Sequence, residues 1–381
     1  MTEPPQPTLA HRRPTSDHLV AIARRFLGPQ ASLSIEELVA GHINLSWRVD
    51  VEGGRSFLLQ RINHHVFRDP VTLMRNVARV TDHLRARLAE RGATGIERRC
   101  LRLVETLDGS DHHVDDDGWL YRLYRFIAGA ATYVKADDPR RVGAAAHAFG
   151  CFLADLTGLD PAEVVSSIPR FHDTAYRFEQ LERAVRGDPL SRALGCRAEI
   201  EGFLEHRALL DRVDHRELPQ RVVHADAKLT NVLFDAITGE VLCVIDLDTV
   251  MPGLACHDFG ELVRSMSHRF DEDERRAERV RCDPELLDAI CRGFVAGAAP
   301  LLEAGEVASL VDGALLMTVE NGVRFLADHL EGDRYFRVGR PDHNLDRART
   351  QLALLRSLIE QEERVRTAVD RAWRSVHAAG C

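Results

Sequence analysis

The chain has 381 residues, 45% hydrophobic and 29% charged, enough apolar material for a large core and a length that suggests two lobes. A net charge of −9 argues against nucleic acid or an anionic membrane as the main partner, and no run approaches the roughly 18 apolar residues of a membrane span. Eight cysteines form no C-x-x-C pair and the polar, proline-rich start lacks a signal-peptide core, so a reduced, cytoplasmic protein is expected.

Residues 1–15 read as a loose tail, after which Ser16 is expected to cap an amphipathic helix carrying Leu19, Ile22, Ala23 and Phe26 and stopped by Gly28. Strands are predicted over 38–40, 45–51 and 57–62, joined by turns at Gly41-His42-Ile43-Asn44 and Gly53-Gly54. Asp69-Pro70 opens a helix closed by Gly92. Two further strands, 101–106 and 119–127, flank the loop His112-His113-Val114-Asp115-Asp116-Asp117. That tip offers metal-binding side chains, but nothing fixes a coordination geometry, and a solvated hairpin end is expected.

Beyond Gly129 the pattern turns helical, with Asp138-Pro139 opening a helix that carries Phe149, Phe152 and Leu153, and a single last helix is predicted over 346–377. The fold class expected is α+β and two-lobed, a small antiparallel β lobe (16–127) followed by a larger, mainly helical lobe (128–381).

One stretch interrupts the helices, Val223-His-Ala-Asp226-Ala-Lys228-Leu-Thr-Asn231 leading to the apolar strand 241–245 and Asp246-Leu247-Asp248. Phosphoryl transfer needs positioning and charge neutralisation around a metal-bound triphosphate more than covalent chemistry. Asp226 is suited to orient an acceptor hydroxyl and take its proton, while Asn231 and Asp246 offer the hard oxygen ligands that Mg²⁺ prefers. His224 is expected to brace the loop. Period two along a strand would place Asp248 on the same face as Asp246, to share the metal. Lys228 can present a compact cation to the transferring group, and it is one of only two lysines among 50 basic residues. Asp258-Phe259-Gly260 imitates the metal-binding D-F-G of protein kinases but follows no hydrophobic strand, and Asp258 is expected to cap a helix.

The order of elements and the stretch from Val223 to Asp248 resemble the aminoglycoside phosphotransferase and choline kinase superfamily, which implies a protein kinase-like fold, ATP and Mg²⁺. Ala225 stands where members more often have glycine, a change tolerated if the backbone there is not left-handed. A narrower resemblance rests on Gly41-His42-Ile43-Asn44, on Leu59-Gln60-Arg61-Ile62-Asn63, on Phe171-His172-Asp173-Thr174, on Val244 to Gly253, and on His343-Asn344-Leu345-Asp346-Arg347-Ala348-Arg349. Together these look like N-acetylhexosamine 1-kinases, which implies transfer from ATP to the anomeric hydroxyl of N-acetylglucosamine or N-acetylgalactosamine. Strand 57–62 lacks the lysine that kinases use for the α/β phosphates, so Gln60 or, preferably, Arg61 must stand in. Asn44 and Phe126 are the other expected nucleotide contacts, the base resting near 124–129.

By the same resemblance Arg324 and Tyr335 contact the sugar. Arg324 and Asp328, four apart on a helix, could equally form a surface ion pair. His172 and Asp173 either reach the acetamido group or cap the following helix. An aminoglycoside, aminocyclitol or other amino alcohol is the alternative acceptor, for which Asp271, Glu272, Asp273, Glu274 and Glu278 could supply carboxylates. A third candidate is an inactive nucleotide-binding regulator. The oligomeric state is left open.

Overall fold

The computed structural model describes residues 13–38 and 43–379, and the chain divides into two compact units with the boundary between Ala128 and Gly129. The first begins with α1 (Ser16–Leu27), whose cap is Thr15 and not the expected Ser16: the Thr15 hydroxyl accepts from the His18 amide at 3.3 Å. A meander of β1 (Leu33–Leu38), β2 (Leu45–Val51) and β3 (Ser56–Arg61) follows. The strand predicted over 38–40 thus lies earlier, where Leu33, Ile35 and the acidic Glu36 and Glu37 form a half-exposed edge; Val39, Ala40, Gly41 and His42 fall outside the described residues.

Asp69 caps α2 (Pro70–Glu90), accepting from Thr72, with Pro70 in the first turn where its missing N–H costs nothing. After α3 (Ile96–Arg99) come β4 (Leu103–Val104), β5 (His113–Val114) and β6 (Leu120–Arg125). The antiparallel sheet has the order β1-β2-β3-β6-β4, with β5 also on β6. One face is closed by α1: Leu19, Ile22, Ala23 and Phe26 pack on Trp47, Val49, Phe57, Leu59, Tyr121 and Leu123. Each large apolar side chain so buried contributes on the order of 2 kcal/mol. At the acidic loop, Asp115 is buried and accepts the Asp117 and Trp119 amides, which makes it a turn anchor.

The second unit holds β7 (Ala130–Ala131), α4 (Pro139–Asp155), α5 (Thr174–Gly187) and α6 (Arg197–Glu205), then β8 (Arg221–Val223), β9 (Val232–Asp235), β10 (Val241–Val244) and β11 (Met251–Gly253). These strands form two small sheets, β10-β9-β7 and β11-β8. Five helices complete it: α7 (Ala255–Met266), α8 (Pro284–Ala298), α9 (Ala304–Glu331), α10 (His343–Glu360) and α11 (Glu362–Ala379).

Helix α9 runs through the core and packs on α5, α7 and α10. Its approach to α7 is backbone on backbone, since a Cβ on Gly260 would lie 2.5 Å from the Gly313 carbonyl. The α4–α8 seam is equally close: a Cβ on Gly150 would meet the Phe294 carbonyl at 2.4 Å. The single helix predicted over 346–377 is two helices that part at Gln361, whose amide reaches the Cys282 carbonyl at 3.2 Å and the Ser357 hydroxyl at 3.3 Å.

Candidate active site

Strand β8 delivers the chain into the loop 224–231. His224 is fully buried, and its ring ties two loops together: Nε2 donates to the Ile245 carbonyl at 2.9 Å while Nδ1 accepts the Asp226 amide at 3.3 Å. The catalytic candidate and the metal candidate that follows Ile245 are therefore linked through one imidazole. Phe149 and Phe152 of α4 hold that ring edge-on at centroid distances of 5.1 and 5.5 Å.

Asp226 has an asymmetric carboxylate. Its Oδ2 accepts from Lys228 Nζ at 2.6 Å and from Asn231 Nδ2 at 3.1 Å, and Oδ1 takes no hydrogen bond from the described residues. Against the cost of burial, the Lys228 ammonium holds the Asp226 carboxyl below the usual carboxylate range. Lys228 is raised by the same pairing, with Asp246 adding to it. An ionised carboxylate with one oxygen tied back and the other available is what a hydroxyl-orienting base requires.

Asn231 spends its amide N–H groups on Asp226, donating also to the Asp226 carbonyl at 2.9 Å, which turns its Oδ1 away from that residue. Asp246 and Asp248 do not share a strand face as period two suggested, because β10 ends at Val244. Asp246 adopts the left-handed region (φ 64°), and Asp248 is buried in the short 3-10 turn that follows, its carbonyl receiving Ser167 Oγ at 2.6 Å. Asp246 is exposed to solvent, yet the protein packed about its carboxyl, together with the neighbouring Asp248 carboxylate, pushes that group up to about 6. Two crowded carboxylates beside an amide oxygen would welcome a hard divalent cation. Among the described residues no group of three or more His, Cys, Asp or Glu could hold a metal ion by itself. Mg²⁺ is commonly bound by one or two carboxylates and completes its shell with phosphates and water.

Asp258 is not the cap of its helix. Leu254 occupies that position, and Asp258 lies one turn inside α7, fully buried, its carboxylate accepting the His224 amide at 2.9 Å and the Ala225 amide at 2.7 Å. It pins Ala225, which does adopt the left-handed conformation (φ 62°), so the condition under which alanine costs nothing is not met.

His172 completes the clamp: its Nδ1 meets Glu320 Oε1 at 2.9 Å and its Nε2 the Ala225 carbonyl at 3.0 Å, so both nitrogens donate and neither is left for an acceptor molecule. Although burial disfavours the charge, Glu320 raises the His172 pKa. Asp173 is likewise engaged, capping α5 through the Tyr176 amide at 2.9 Å and bonding Arg170 at 2.7 Å. His172 also lines a recess of about 430 Å³ with Phe171, His215, Gly253 and His257.

Sequence reasoning missed a polar chain behind the loop. Glu261 pairs with Arg264 at 2.8 Å and accepts Asn321 Nδ2 at 2.7 Å, and Arg264 acts electrostatically on Asp226. Thr318, Glu320 and Asn321 lie buried in the middle of the apolar run of α9, and three polar residues in such a run were the available signal. Arg324 makes no ion pair with Asp328. It lies 4.9 Å from the Phe171 ring centroid and 5.9 Å from that of the half-exposed Tyr335, while Asp328 accepts the amides of Arg334, Tyr335 and Phe336.

In the first unit, Gln60 Oε1 accepts from Arg122. Arg61 is buried on the α1 side with its guanidinium 4.3 Å from the Trp119 ring centroid, Phe126 lies 5.0 Å under Arg48, and Asn44 Oδ1 accepts the Asn63 amide at 3.0 Å.

The model of the phosphotransferase enzyme family matches residues 34–294. The chain belongs to that family. It is an ATP-dependent phosphotransferase acting on hydroxyl groups. Solved structures share the kinase-like fold over about nine-tenths of the chain. An aminoglycoside phosphotransferase from Alicyclobacillus acidocaldarius is 17% identical with a TM-score of 0.53, covering 91% of this chain and 96% of its own. The amicoumacin kinase hAmiN is 14% identical (TM-score 0.54, 89% and 93% covered), and a choline/ethanolamine kinase family protein from Mesorhizobium loti is 18% identical (0.53, 92% and 98%). No helix among the described residues is long and apolar enough to cross a membrane.

Proposed function

We propose that this phosphotransferase is an N-acetylhexosamine 1-kinase. Asp226 Oδ1 orients the anomeric hydroxyl and receives its proton as the sugar oxygen bonds the γ-phosphorus of ATP and the bond to the β–γ bridging oxygen breaks, releasing ADP. Lys228 leaves its pair with Asp226 far enough to share its charge with the transferring group. Asn231, Asp246 and Asp248 would hold Mg²⁺, which neutralises phosphate charge when bound. The amicoumacin kinase, in complex with AMP-PNP and Ca²⁺, supports a nucleotide and a divalent ion as companions. The N-terminal unit would supply the remaining nucleotide contacts, with Asn44 and Phe126 among them.

The observation that carries the acceptor assignment is the charge balance around the loop. Asp226 is paired with Lys228, Glu261 with Arg264 and Glu320 with His172. Beside them Arg177 donates, among the described residues, to Gln180 and the Phe171 carbonyl, and its pKa is lowered by burial and by the like charge of Arg324. Of the acids considered for a cationic acceptor, Glu272 is engaged with Arg264 and Asp273 with Arg340 and His343. An aminoglycoside or amino alcohol would meet surplus arginine here, whereas a neutral sugar with hydroxyl and amide oxygens suits Arg324 beside the open ring of Tyr335.

The test is an acceptor panel of free N-acetylhexosamines, hexoses and aminoglycosides with Mg-ATP, the product examined by phosphorus NMR. An anomeric phosphate on an N-acetylhexosamine is expected; turnover confined to cationic acceptors would overturn the proposal.

A further inference from the structure

Tyr335, 51% exposed, is the one aromatic ring among the described large apolar side chains that stand open to solvent. Surface turns are ordinarily mobile, yet the backbone beneath this ring is gripped from inside the protein. Asp328, in the last turn of α9, is 4% exposed and gathers four successive amides. Its carbonyl accepts the Asp333 amide at 2.8 Å, its Oδ1 those of Arg334 at 2.9 Å and Tyr335 at 2.8 Å, and its Oδ2 that of Phe336 at 3.0 Å. Gly332 and Asp333, both left-handed (φ 103° and 59°), turn the chain back over the helix end so that these amides converge.

Asn344, fully buried at the start of α10, closes the arrangement. Its Nδ2 donates to Asp328 Oδ2 and to Asp333 Oδ1, each at 2.9 Å, and its Oδ1 accepts from Arg347 at 3.0 Å. A carboxylate withdrawn from water is costly unless its oxygens are filled. Here each oxygen is filled twice, and what the pair holds still is a turn that ends in an open ring.

The turn brings two rings to one cation. The Arg324 guanidinium lies 5.9 Å from the Tyr335 centroid, 5.5 Å from that of Phe336 and 4.9 Å from that of Phe171. Phe336 meets Tyr335 edge-on at 4.8 Å and packs on Phe325 at 4.6 Å. Phe171 precedes His172, which bonds the Ala225 carbonyl, and Glu320, one turn before Arg324 on α9, bonds His172. These rings and their cation therefore stand beside the loop that carries Asp226, and all of them belong to the second unit.

We propose that Asp328 and Asn344 are positioning residues for the acceptor, fixing Tyr335, and with it one wall of the acceptor subsite, before the acceptor arrives. The inference rests on the reading of Arg324 and Tyr335 as acceptor contacts. A wall fixed in advance avoids the ordering cost that a mobile turn would carry on binding. It also favours an acceptor whose apolar ring face lies on Tyr335 while its oxygens reach Arg324.

The test is steady-state kinetics of the full-length protein with Mg-ATP and the fastest acceptor of the panel, an N-acetylhexosamine being expected. Thermal unfolding and titration with Mg-AMP-PNP accompany each variant. Asn344→Ala removes one donor to the Asp328 carboxylate and leaves the carboxylate in place. It is expected to raise the acceptor KM by about tenfold, with a smaller fall in kcat and nucleotide affinity within a few-fold. Asp328→Asn should raise KM further. In a Tyr335→Ala background, where KM is already high, Asn344→Ala should add little, because its effect passes through the ring that is gone. A merely structural role would add the same rise in both backgrounds. Should Asn344→Ala and Asp328→Asn unfold, Asn344→Ser, which keeps a shorter donor, takes their place. Folded variants with the native acceptor KM, or an equal rise with and without Tyr335, would overturn the inference. A native KM in Tyr335→Ala alone would instead sink the acceptor role of Tyr335 beneath it.

Discussion

The buried carboxylate of Asp258 receives the Ala225 amide at 2.7 Å and, through its second oxygen, the amide of His224. A side chain inside α7 therefore fixes the two residues that lead into Asp226. Asp258→Asn replaces one acceptor by an NH₂ group that faces a backbone N–H. It should cost about 1–3 kcal/mol in urea unfolding and lower turnover as well.

Ala225 holds a left-handed backbone with its side chain buried. Ala225→Gly removes a conformational cost of about 1 kcal/mol while Asp258 and His172 still hold the loop. The variant should melt about 1–2 °C higher with activity preserved, and a lower melting temperature would show that Cβ packing outweighs the strain.

Asp226→Asn leaves a polar group of the same shape beside Lys228 but removes the acceptor of the hydroxyl proton. Turnover should fall by about 10²–10⁴ while Mg-nucleotide affinity, measured calorimetrically, stays within a few-fold. Undiminished turnover would remove Asp226 from the mechanism.

His257 is buried, its Nε2 finds no hydrogen-bond partner among the described residues, and burial followed by the nearby His172 and His215 pushes its pKa down to about 3. With the folded value below the unfolded one of about 6.5, acid favours the unfolded chain. This contribution is present above that unfolded value and is lost as pH falls toward 3. Between pH 7 and 5 the loss is about 1–2 kcal/mol, and a His257→Leu variant should show a shallower fall of melting temperature over the same interval. His172 runs the other way: raised by Glu320 against the cost of burial, its contribution is present below pH 6.5 and is lost as pH climbs through the folded value.

Gly260→Ala would place a methyl carbon 2.5 Å from the Gly313 carbonyl and 2.6 Å from Met317. Separation of α7 from α9 should cost about 1–3 kcal/mol by chemical denaturation. The glycine of Asp258-Phe259-Gly260 is thus explained by helix packing.

What could be read from the sequence was what is local. The loop from His224 to Asn231 and the caps at Asp69 and Asp138 announce themselves within a few residues, because turns and caps are made by neighbours. What escaped depends on distant partners. Asp258 looks like a cap until the amides of His224 and Ala225 are brought to it, and nothing near Gln361 breaks a helix except its reach to Cys282. Asp246 and Asp248 were assigned one face on strand geometry, but the strand ends first and a left-handed residue redirects the chain. The face assignment of Gln60 and Arg61 needed the position of α1, which alternation by itself does not supply.

The α4–α8 seam has a consequence beyond packing. No layer of side chains lies between the helices where Gly150 meets the Phe294 carbonyl and where a Cβ on Gly297 would come within 2.3 Å of the His147 carbonyl, so no rotamer change can absorb an intruding methyl. Relief would have to come from rigid displacement of α4, which carries Phe149 and Phe152 against the His224 ring. A one-carbon insertion at Gly150 would then act as a lever, with its short arm in the seam and its long arm under the residues that align Asp226 with Asp246.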